Sequence, residues 1–119
     1  MNSSRFASTP EPPYYVVIFT ATRHPADDGY AAMATRMQEL AASQPGFLGV
    51  ERVRDADGFG IMLSYWESEE AIRRWREHGE HMIARGLGRE RWYAHYALRV
   101  ARVERAYGMT APAPDSPVS

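Results

Sequence analysis

The stretch LSYWESEEAIRRWREHGEHM, residues 63–82, concentrates side chains with chemical capacity: Tyr65, Trp75, His78 and His81. An unperturbed imidazole titrates at about 6.5 and can accept a proton near neutrality. An indole one helical turn before it can stack on a flat substrate while that proton is removed. His78 is therefore the candidate base and Trp75 the candidate stacking wall. Tyr65 and Tyr96 are candidates to donate a hydrogen bond to a developing oxyanion. Gly79 and Met82 share the stripe of Trp75. A glycine inside a helix costs about 1 kcal/mol relative to alanine, so Gly79 marks a close approach of the sheet or a space beside Trp75. Arg85 can attract an anionic substrate or simply complement the helix dipole. The same residues also admit a purely structural reading, with Trp75 as a core anchor and the histidines on a solvated face.

Other chemistries are less well supplied. His78 and His81 lie one turn apart near Glu77 and Glu80, with His95 as a distant third ligand, but no established metal spacing is present and no metal is expected. The stretch DGFGIMLSY (57–65) approaches an RNA-binding signature. It places Asp57 where a basic residue belongs, and Ile61 and Ser64 where stacking aromatics belong. Net charge is −1, and the 14 basic residues, all arginine, are spread along the chain. That distribution argues against a nucleic-acid partner.

The elements that position these residues follow from periodicity. YYVVIFTAT (14–22) reads as a buried strand. Asp27 or Asp28 can cap a helix with Tyr30, Met33, Met37, Leu40 and Ala41 on one stripe, ended by SQPGF. FLGVERVR (47–54), DADG and FGIMLSYW (59–66) form a hairpin. Ser68 caps a second helix over about residues 69–85, with Glu69 and Glu70 in its first turn. WYAHYALRVARVERAY (92–107) reads as a long strand with a bulge near Arg102. The order β-α-β-β-α-β predicts an α+β fold, a ferredoxin-like four-stranded antiparallel sheet with both helices on one face. Apolar residues on the other face predict a homodimer. Residues 1–13 and 109–119 have the Ser- and Pro-rich composition of flexible tails flanking a domain at 14–108. With no cysteine among 119 residues, no secretory leader and no apolar run of membrane-spanning length, the expected location is the cytoplasm, with no membrane partner.

The motifs QPGFLGVE (44–51), SYWESEEAIRRW (64–75) and GRERWYAHYALRVARVERAYG (88–108) resemble the antibiotic biosynthesis monooxygenase (ABM) superfamily, especially its small uncharacterised bacterial members. The resemblance implies a dimeric α/β barrel with a pocket in each subunit between helices and sheet. It also implies oxidation of a small aromatic or phenolic molecule by O₂ with no protein-bound cofactor. Trp75 matches the helix tryptophan of the phenol-oxygenating and haem-degrading members. Two positions depart from them: Ala71 stands where the phenol oxygenases commonly carry asparagine, and Ala84 where the haem degraders carry their axial histidine. The sole asparagine is Asn2. These departures leave room for a second reading, a non-catalytic dimer that binds a hydrophobic metabolite or a protein partner.

Overall fold

The computed structural model describes residues 5–23, 30–86 and 93–109. Its elements are β1 (Tyr14–Arg23), α1 (Tyr30–Ala42), β2 (Phe47–Arg54), β3 (Phe59–Trp66), α2 (Glu69–Gly86) and β4 (Tyr93–Val103). The strands form one antiparallel sheet in the order β2-β3-β1-β4. This is the ferredoxin-like α+β architecture expected from the element order. The capping aspartates Asp27 and Asp28 lie outside the described residues.

Local chemistry explains the turns. In the hairpin, Asp55 Oδ1 accepts the N–H groups of Asp57 and Phe59 at 2.9 and 3.0 Å. Gly58 closes that turn at φ +90°, a conformation that carries little cost only without a side chain. Ser68 Oγ accepts the Ala71 N–H at 3.0 Å, the N-cap bond that starts α2.

Strand alternation sorts the sheet into two faces. Tyr15, Val17 and Phe19 of β1 share the helix-covered face with Trp66, Ser64 and Met62 of β3, and with Val100 and Leu98 of β4. Tyr14, Val16 and Ile18 share the open face with Tyr65 and Leu63. Trp66, Ala71 and Ile72 form the core, with Tyr15, Val17, Ala41, Phe47 and Trp75 packed against it.

β4 differs in detail from its sequence reading. The register shift lies opposite Thr22 and Arg23, between Tyr93 and His95, rather than near Arg102. Arg102 breaks the apolar alternation because it occupies a helix-side position, paired with Tyr15, and remains exposed on the edge strand. Residues 104–109 are not strand.

Residues 7–9, within the segment expected to be a flexible tail, lie against the open face. The Ala7 N–H donates to Glu51 Oε2 at 2.9 Å, and Thr9 Oγ1 donates to the Tyr14 hydroxyl at 3.1 Å. Gly49 makes room for this crossing, because a Cβ there would sit 2.9 Å from Ala7 Cβ. Beyond the crossing, Val53, Phe59 and Ile61 are exposed on the same face. Among the described residues, no helix is long and apolar enough to cross a membrane.

Candidate functional site

The site is built outward from Trp66. Its ring is 0 % exposed and meets Phe47 edge-on at 5.3 Å. Its indole N–H donates to Ser64 Oγ at 3.0 Å, so the one polar atom of the ring is satisfied without water. Trp75 stacks over it at 6.3 Å with 24° between planes. The His78 ring lies 5.5 Å from Trp75, tilted 33° to it. Trp75 is half-buried and His78 exposed. Exposure thus rises from Trp66 on β3 through Trp75 to His78 on α2.

The first turn of α2 is pinned from below. Gly46 sits at φ +88°, and a Cβ on it would fall 2.6 Å from Ala71 Cβ. Gly46 O also accepts the Glu67 N–H at 2.9 Å. Ala71, one turn before Trp75, is thus a packing residue pressed against this turn. A longer side chain there would need the turn to move.

Of the seven candidate residues, Trp75 and His78 are brought together. Gly79 is buried beside them, and the close approach it permits is to α1: a Cβ would lie 3.2 Å from Met37 Cε and 3.9 Å from the Trp75 ring. Tyr96 stands on the helix-covered face of β4, with its ring 5.8 Å from Phe19. Tyr65 is not joined to Trp75, because it occupies the open face on the other side of the sheet. The side chains of Met82 and Arg85 fall outside the described residues.

On that open face Tyr65 has its own arrangement. Its hydroxyl donates to Glu51 Oε1 at 2.7 Å, while the other oxygen of the carboxylate takes the Ala7 amide. Burial, reinforced by this hydrogen bond and by the negative charge of Glu51, pushes the phenol up to about 12. The folded state thus keeps its proton where the unfolded chain, titrating near 10, has lost it. Stability linked to this group is complete below about pH 10 and is lost as pH rises through about 12. In Glu51→Gln, one tyrosine should ionise at lower pH in a spectrophotometric titration at alkaline pH; an unchanged curve would deny Glu51 this influence. Glu51 was not among the candidate residues, although a carboxylate on an otherwise apolar strand face was a visible signal.

His95 pairs with Thr22 and faces away from the helices, so it cannot join His78 on one metal. Among the described residues, no three His, Cys, Asp or Glu side chains gather as a metal site.

Comparison with known proteins gives a consistent family. Residues 13–85 match the family model described as antibiotic biosynthesis monooxygenase. The chain is 58% identical over 99 residues to the uncharacterised protein YqjZ of Bacillus subtilis (strain 168), covering 83% of this chain and 87% of that protein. It is 30% identical over 92 residues to jasmonate monooxygenase ABM of Pyricularia oryzae, covering 75% of this chain but 43% of the fungal protein, so it spans less than half of that relative. The crystal structure of a mutant of SnoaB, a cofactor-independent oxygenase from Streptomyces nogalater, superposes with a TM-score of 0.61 at 18% identity, covering 86% of this chain and 98% of that one. At that identity the superposition speaks for the fold.

Proposed function

Because this chain belongs to the antibiotic biosynthesis monooxygenase family, we propose that it is a cofactor-independent monooxygenase of a small aromatic or phenolic substrate. The observation that carries the reading is the Trp75–His78 pair at 5.5 Å, its imidazole exposed. A flat substrate stacked at Trp75 places an acidic C–H or O–H within reach of His78. The imidazole takes the proton, and the resulting carbanion or phenolate is electron-rich enough to react with O₂. For an anthrone-type CH₂, one oxygen atom becomes the new carbonyl and the other leaves as water. Both electron pairs come from the substrate, so the balance needs no added reductant. Tyr96, on the helix-covered face, is the proposed donor to the developing oxyanion.

The active form is proposed to be a homodimer joined through the open face, where Val53, Phe59 and Ile61 remain exposed. The absence of cysteine suits a reducing compartment, and we place the protein in the cytoplasm.

Oxygen uptake across a panel of phenols and anthrones, with chelator present, tests the reaction, and light scattering at micromolar concentration tests the dimer. Uptake with a quinone product is expected. Quenching of tryptophan fluorescence without uptake would favour the second reading, a binding protein for a hydrophobic metabolite. Ala71 supports that alternative: at 3% exposure it fills with a methyl group the position where the resemblance led one to look for asparagine.

A further inference from the structure

A concavity lies on the flank of α2 that faces β4. The helix covers the centre of the sheet and leaves the edge strand β4 partly bare, with Leu98 50% and Val100 53% exposed on the helix side. Between helix and strand is a cavity of about 300 Å³ lined by Glu69, Glu70, Ile72, Arg73, Arg76 and Val100. Its floor is aliphatic and its rim is charged.

The rim charges are unequally satisfied. Glu70 engages Arg73 and Arg74, and Arg73 also reaches Glu77. Among the described residues, Glu69 and Arg76 have no ion pair. Two helical turns, about 10 Å, separate them, so they sit at opposite ends of the groove. The chain enters α2 from Trp66, which pairs with Tyr15, and Tyr15 in turn pairs with Arg102. Arg102 therefore lies at the Glu69 end of β4, so that end carries charges of both signs. The Arg76 end lies toward Leu98 and presents a guanidinium that has no ion pair among the described residues, beside an apolar floor. A guanidinium in that setting favours a carboxylate, which it can hold through charge-assisted, paired hydrogen bonds.

We propose that this α2–β4 groove binds an amphiphilic monocarboxylate, with its aliphatic part over Val100 and Leu98 and its carboxylate on Arg76. The site is separate from the Trp75–His78 pair, which occupies the core-facing side and far shoulder of the same helix. It does not depend on the oxygenase reading.

The probe is decanoate, with 1-decanol as its uncharged counterpart, titrated calorimetrically into the full chain below their aggregation limits. Saturable binding of decanoate, with decanol weaker by about tenfold or more, is the expected result. Arg76→Gln should remove that advantage and leave decanol binding unchanged. Val100→Asp should abolish both, with unchanged circular dichroism showing that the exposed position tolerates the charge. His78→Ala should bind decanoate normally. Absence of saturable binding, equal affinity for acid and alcohol, or indifference to Arg76→Gln would overturn the proposal. So would loss of binding in His78→Ala, which would place the probe at Trp75. A change of oligomeric state in Val100→Asp would identify the groove as a contact between copies instead, and that too would overturn it.

Discussion

Trp66→Ala is expected to destabilise the protein by about 3–5 kcal/mol, the range for deleting a fully buried large aromatic. Three features put it there. The ring is 0 % exposed, so its whole transfer free energy is lost. It is the common neighbour of Phe47 and Trp75, which approach it from different directions at 5.3 and 6.3 Å, so no single shift can close the hole. Its N–H also satisfies Ser64 Oγ, a bond that alanine leaves unmade. A domain's entire stability is only about 5–15 kcal/mol, and the variant should show a much lower urea midpoint with little change in slope. A loss below about 1 kcal/mol would mean that Trp66 is not the centre of the core.

The second large effect is kinetic. His78→Ala should reduce substrate-dependent oxygen uptake by about 10²–10⁴-fold, the usual worth of a general base, while the fold persists. Persistence is expected because His78 is exposed and its described contact is the tilted face of Trp75. Full activity in a correctly folded His78→Ala would remove the proposed base and, with it, the mechanism.

Much of this arrangement was legible in the sequence because local rules agreed with one another. Ser68 followed by Glu69 and Glu70 announced where α2 begins, and the 3- and 4-residue spacing of Ile72, Trp75 and Gly79 announced which side is buried. Tyr65 shows how a simple rule can be passed over. It is adjacent to Trp66 in a strand, so the two must point to opposite faces, and Trp66 faces the helix that carries Trp75. The partner helix at Gly79 could not be read, since periodicity shows that a face is buried without saying what covers it; Met37 does. The bulge was misplaced because Arg102 looked like broken alternation, whereas an uncovered edge strand tolerates arginine at a helix-side position. The groove beside Val100 depends on how far α2 leans away from β4, a tertiary quantity with no sequence period.

The crossing of residues 7–9 over the open face has a consequence for anyone altering this chain. At position 7 the latch is a main-chain amide, so side-chain replacement there cannot erase it; proline, which lacks the N–H, can. The receiving side is fussier, since any residue but glycine at 49 would press on Ala7. Sequence tolerance should therefore be lopsided, with a permissive position 7 on the guest segment and an exacting position 49 on the host strand. A tag or fusion joined ahead of the crossing would emerge beside the face proposed to join two copies, so assembly measurements belong on protein tagged at its other end.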